Sequence, residues 1–152
     1  MPEEVKDVGF SVNSASAAVK RAMSAVLRHG GIDEITASHG YILHYLTLNG
    51  DKDVFQKDIE AKFSIGRSAV ATALGAMEKK GYITRCSVES DARLKKIAIT
   101  EKGTDIHLRI TELIRGFEDE LSDGLPPAQL EVFSDVISSL KSNAEKISAK
   151  YS

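Results

Sequence analysis

Apolar positions in this chain recur with two periods, and each change of period marks a new element. Val70, Ala73, Leu74 and Met77 fall at i, i+3, i+4 and i+7, which is one buried stripe of a helix. That helix follows Ser64-Ile65-Gly66 and stops at Gly81. Its opposite face carries Arg67, Ser68, Ala71, Thr72 and Gly75, so little bulk stands on it. An earlier helix from about Ser14 to Arg28 sets Val12, Val19, Met23, Val26 and Leu27 among alanines and ends at Gly30-Gly31. A second starts near Thr36, read as its N-cap, takes its apolar face from Ile42, Leu43, Leu46 and Leu48, and ends at Asn49-Gly50. A short third one covers about 55–63, with Ile59, Ala61 and Phe63 inward.

The period then switches. Tyr82 to Cys86 reads as a strand, Ser87 to Lys96 as a polar turn region, and Ile97 to Ile99 as the return strand. From Thr100 the helical period resumes. Ile106, Ile110, Leu113, Ile114, Phe117 and Leu121 form one stripe, and after Pro127 a last helix repeats the pattern from Leu130 to Ile147. These two stripes carry more apolar face than a domain of this size needs. A second copy of the chain would bury it. The order is four helices, a hairpin and two helices, a mainly α (α+β) chain.

Composition bounds the rest. The 152 residues fit a single domain, 1–152, and the 42% apolar share is that of a folded protein. No run of about 18 apolar residues is present, so no helix is expected to span a membrane. The opening Met1-Pro-Glu-Glu-Val-Lys-Asp7 lacks an apolar signal core, and a cytoplasmic location is expected. The single cysteine, Cys86, leaves no internal disulfide and no all-cysteine metal site. The net charge of −2 conceals a contrast, because residues 51–103 hold 11 Lys/Arg against 8 Asp/Glu. A mildly basic middle between acidic ends can face phosphates.

A short helix, a tight turn, a second helix with small outward residues and a basic hairpin make a winged helix-turn-helix. The second helix fits a major groove, about 12 Å wide, where base edges differ in donors and acceptors. Arg67 and Ser68 stand at its N-terminus, where the partial positive charge also favours phosphate. Thr72 lies one turn on. The wing adds Arg93, Lys95 and Lys96, and alternation along the strand puts the two lysines on opposite sides. Each of these six residues could equally be solvated surface.

The wing run Asp91-Ala-Arg93-Leu-Lys-Lys-Ile97-Ala-Ile99-Thr100-Glu-Lys102-Gly103 and the helix end Met77-Glu-Lys-Lys-Gly-Tyr-Ile-Thr-Arg85 resemble the multiple-antibiotic-resistance regulator (MarR) family of bacterial transcription factors. The resemblance implies a homodimer, with residues 36–103 as the DNA-binding lobe and 1–35 and 104–152 as dimerisation helices. It implies a ligand-responsive repressor on a palindromic operator of double-stranded DNA. It also implies that Asp91 shapes the wing tip and that Arg93 contacts DNA. Three positions depart from the family pattern. Thr72 and Ala76 stand where the recognition helix often has basic residues, and Gly75 replaces an acidic one.

The resemblance further implies a small aromatic effector held between dimer helices and lobe. Tyr41, Tyr45 and His39 either line such a pocket or simply fill core. The four histidines show no ligand spacing. His39 and His44 diverge on one helix, and His39 could approach His107 only through the fold, so no metal and no cofactor are expected. Cys86 reads as an ordinary strand residue. An enzyme finds no support, for the chain has no Gly-rich phosphate loop and no nucleophile elbow. The competing reading is a winged-helix protein–protein adaptor that does not bind DNA.

Overall fold

Six helices and one hairpin make up the computed structural model, which describes residues 7–152. They are α1 (Val8–His29), α2 (Glu34–Leu48), α3 (Gln56–Phe63), α4 (Arg67–Lys79), β1 (Ile83–Val88), β2 (Asp91–Ile99), α5 (Glu101–Leu121) and α6 (Pro127–Tyr151). Of the opening segment read above for a signal core, all but Asp7 lies outside the described residues. No helix among those described is long and apolar enough to cross a membrane.

The mainly α fold class holds, and three boundaries move for local reasons. α1 begins at Val8 because the Asp7 carboxylate accepts the Phe10 N–H at 2.9 Å. Its first turns carry exposed Val8, Phe10 and Val12, so no inward stripe marked them. α2 is capped by Asp33 and not by Thr36. One Asp33 oxygen accepts the Thr36 N–H and the other its hydroxyl, each at 2.9 Å. Thr36 is therefore an inward residue of the first turn, 1% exposed. The wing strands are also longer than expected, and only Glu89 and Ser90 form the turn. The register pairs Ile83 with Ile99 and Arg85 with Ile97, and is interrupted between Ser87 and Val88.

The main core lies under these elements. α2 gives Ile42, Leu43 and Leu46, α3 gives Ile59, α4 gives Val70, Ala73, Leu74 and Met77, and the hairpin gives Ile83 and Ile97. Burying each large side chain contributes roughly 1.5–3 kcal/mol. Val54 joins as a one-residue bridge, its carbonyl accepting the Ile97 N–H at 2.8 Å. A smaller cluster joins Leu27 of α1, Ile32 and Ile110 of α5. Ile106 packs against both clusters and ties the start of α5 into the lobe.

The joint between wing and α5 is tightly bonded. Thr100 donates its N–H to the Tyr82 carbonyl at 3.0 Å and its hydroxyl to the Gly81 carbonyl at 2.6 Å. The same hydroxyl oxygen accepts the Gly103 N–H at 3.0 Å, which caps α5. Gly81 adopts φ 79°, a backbone state that favours glycine. A side chain at Gly103 would collide with the Tyr82 carbonyl oxygen.

Contacts divide the chain into two compact units, one ending at Phe117 and the other running from Glu118 to Ser152. In the second unit α6 buries none of its residues. Val132, Phe133, Val136 and Ile147 are all exposed, Phe133 by 59%.

Candidate nucleic-acid interface

The turn from α3 to α4 sets the site. α3 opens with the Asp58 carboxylate accepting the Phe55 N–H at 2.8 Å. It closes at Ser64, whose left-handed φ of 51° reverses the chain. After Gly66, α4 starts with Arg67, and the Gln56 side chain donates to the Arg67 carbonyl at 3.3 Å. That bond fixes the angle between the two helices at their N-terminal ends. With Val70, Ala73, Leu74 and Met77 inward, the face bearing Arg67, Ser68, Ala71 and Thr72 is left exposed.

Between α4, the start of α3 and the wing lies a cleft of about 480 Å³. Lys57, Arg67, Arg85, Arg93 and Lys95 line it, with Glu60 as the acidic member. Five cations around one open cleft attract phosphate, and their mutual repulsion is relieved when an anion enters.

Each predicted residue has a definite place. Arg67 and Ser68 occupy the first turn of α4 and are exposed. Thr72 is exposed, and its hydroxyl donates to the Ser68 carbonyl at 3.0 Å. With its proton spent there, Thr72 offers a methyl group and an acceptor lone pair. The Asp91 carboxylate accepts the Arg93 N–H at 3.0 Å and lies 3.5 Å from the Arg93 Nε. It thus folds the start of β2 around itself, while the Arg93 side chain stays 93% exposed. Lys95 faces the cleft with Arg93. Lys96 is on the other side, where its Nζ lies 2.7 Å from the Asp53 carboxylate. The structure therefore brings Arg67, Arg93 and Lys95 together and separates Lys96 from them.

Three cleft residues were not anticipated from the sequence. Gln56 and Lys57 open α3, and nothing in a short, weakly amphipathic helix signals which residues face the wing. Arg85 lies on β1 and is held by Glu78 through two contacts of 3.1 Å each. Hydrogen bonds from Arg85 hold the Glu78 carboxyl below its ordinary value, and the same bonds raise the Arg85 guanidinium. Arg85 is thus a fixed charge at the rear of the cleft.

Behind the site, Lys80 at the end of α4 reaches Asp33 at 3.0 Å. The Asp33 carboxyl is lowered to about 2, chiefly by the Thr36 N–H and partly by Lys80. Tyr41 and Tyr45 both stand edge-on to Phe63, with ring centroids 4.7 and 5.8 Å away. They act as packing for the main core. The sequence left open whether any two histidines approach in the fold. It is His44 that meets His107, Nδ1 to Nε2, at 3.2 Å. Among the described residues no three His, Cys, Asp or Glu side chains gather around a metal position. Cys86 is exposed and pairs in register with Lys96.

Residues 33–94 match the sequence model of the MarR family. The fold is that of several solved regulators. A complex of S. aureus MepR with DNA is 21% identical, at a TM-score of 0.75 over 90% of this chain and 97% of that one. The heme sensor protein PefR from Streptococcus agalactiae, in complex with heme, is 20% identical at 0.69 over 94% and 95%. The transcription regulator MarR from Oenococcus oeni is 22% identical at 0.63 over 90% and 99%.

Proposed function

We propose that this chain, whose residues 33–94 match the MarR family model, is a sequence-specific regulator of transcription acting as a homodimer. The observation that carries this reading is the cleft in which Arg67 of α4 and Arg93 and Lys95 of the wing converge. α4 would enter the major groove, with Arg67 and Ser68 at phosphate or base edges and the Thr72 methyl toward a thymine methyl. Arg93, extended and exposed, would reach the flanking backbone or minor groove. Lys96, paired to Asp53, supports the hairpin and contributes less to the DNA grip.

Residues 36–103 serve as the DNA-binding lobe, and 1–35 with 104–152 as dimerisation helices. The exposed Phe10, Phe133, Val136 and Ile147 support that division, since a second copy would cover them. Two lobes would then address half-sites about 34 Å apart on a palindrome. Repression relieved by a small aromatic effector suits the cleft between α1 and α2, where Val19, Met23, Leu27 and Ile32 are joined by Arg28 and Glu34. A ligand with different affinity for two lobe spacings would shift the population between them.

The test is binding to DNA from upstream of the chain's own gene across a salt series. Binding should weaken steeply with salt, and Arg93→Ala should weaken it further and flatten the slope by about one. Tight binding that Arg93→Ala leaves unchanged would remove the wing from the mechanism. No salt-dependent binding to any fragment, with a protein partner captured instead, would favour the adaptor reading.

A further inference from the structure

His44 and His107 are 63 positions apart, one on α2 and one on α5. Their Nδ1 and Nε2 atoms lie 3.2 Å apart, and the ring centroids 5.5 Å. At that separation one ring must donate and the other accept, so the contact exists only while at least one of the two facing nitrogens lacks a proton. A single added proton can be shared, because one ring then donates to the unprotonated nitrogen of the other, and His44 is exposed to solvent. His107 is 9% exposed, and its other nitrogen, Nδ1, is buried with no partner among the described residues. A second proton leaves two donors facing each other with no acceptor. It also places a second positive charge beside the first, inside the packing.

We propose that His44 and His107 form a proton-responsive latch between α2 and α5, so that acidification loosens the seat of α5 on the lobe and weakens DNA binding. The last clause rests on the regulator reading above; the latch itself does not.

The latch sits where loosening would be felt. On α5 it is flanked by Ile106 and Ile110, which pack into the two core clusters. Four residues before it, Gly103 joins α5 to the wing through Thr100. The neighbouring titratable groups leave the pair to itself. On α2, Tyr41 and Tyr45 face Phe63, and His39 stands 6.4 Å from Tyr41. On α5, Arg109 is bonded to the Gly30 carbonyl, and Asp105 is exposed. Burial, then the charge on His44, holds His107 below its ordinary value of 6.5. A histidine lowered in the folded state binds its proton more readily when the latch is open. The latch is therefore intact above 6.5 and loses stability as the pH falls below it.

The experiment follows the histidine ring resonances, the urea unfolding midpoint and operator affinity of the full chain from pH 7.5 to 5.5, at constant ionic strength. His107 should titrate below the ordinary histidine value, the unfolding midpoint should fall, and affinity should drop about tenfold. In His44→Gln, whose substitution is at an exposed position, affinity should change by less than about threefold over the same range. His107→Gln should behave alike if it folds, and His44→Gln decides the matter if it does not. Two rings that titrate independently near 6.5, or an unchanged pH response in His44→Gln, would overturn the latch. So would stoichiometric zinc binding that shifts both rings, since the pair would then be metal ligands. If no DNA binds at any pH, the regulator reading and the DNA clause of the proposal fall, and ring titration and unfolding decide the latch on their own.

Discussion

Replacing Gly103 by alanine sets two local effects against each other, and the structure says which wins. Gly103 lies in the first turn of α5, where alanine would ordinarily stabilise a helix by about 1 kcal/mol. Here the added Cβ would collide with the Tyr82 carbonyl oxygen and stand 2.8 Å from the Ile99 side chain. The carbonyl cannot simply move aside, because it accepts the Thr100 N–H at 3.0 Å. Overpacking of this kind costs about 1–3 kcal/mol. Weakening the Thr100 bond adds about 1 kcal/mol. The net expectation is a loss of roughly 1–3 kcal/mol, which lowers the melting temperature by roughly 2–10 °C in a chain of this size. Gly116 provides the control. It lies in the same helix with nothing within 4 Å of the added atom, so Gly116→Ala should gain about 1 kcal/mol. Urea and thermal unfolding at one fixed chain concentration measure both, since the stability of the proposed dimer would depend on concentration. If Gly103→Ala were as stabilising as Gly116→Ala, close packing of α5 on the wing joint would be wrong.

Asp33→Ala should cost about 1 kcal/mol through loss of the α2 cap, again read by urea unfolding. Because the carboxyl is lowered in the fold, its contribution is complete above the ordinary 3.8 and disappears as the pH falls toward about 2; a mutant with the same acid sensitivity as the parent would refute the assignment. Lys95→Ala should flatten the salt slope of operator binding by about one, while Lys96→Ala, whose partner is Asp53, should change it by less than half as much. Equal effects would mean that both lysines reach phosphate. Gly75→Ala should stabilise α4 by about 1 kcal/mol, as nothing lies within 4 Å of the new atom; a loss in unfolding free energy would show that the helix needs glycine there.

The wing hairpin shows where sequence reading worked and where it stopped. Ile97 and Ile99 alternate because one face of β2 is turned to the lobe, so that end was legible. Toward the tip, Cys86, Ser87, Arg93, Leu94 and Lys95 are all exposed. A strand solvated on both faces has no apolar alternation, which is why 87–96 read as a turn. Alternation did separate Lys95 from Lys96, but it could not say which faced the recognition helix. That depended on Asp53, on a segment far away in sequence. The cap of α2 is a smaller case of the same kind. Asp33 and Thr36 are both good cap residues, and burial of Thr36 chose between them.

By itself the sequence determined the helical stripes, the turn at Ser64, the capping joint at Thr100 and the wing motif at Asp91 and Arg93. The stripes follow from the periods of helix and strand, which fix which side chains share a face, and the wing motif rests on the family resemblance. Only the tertiary structure decided which charges meet. Arg85 is tied to Glu78, Lys80 to Asp33 and Lys96 to Asp53. His44 of α2 meets His107 of α5, 63 positions away in sequence. Such pairings depend on how elements stack, and stacking is set by the whole core at once.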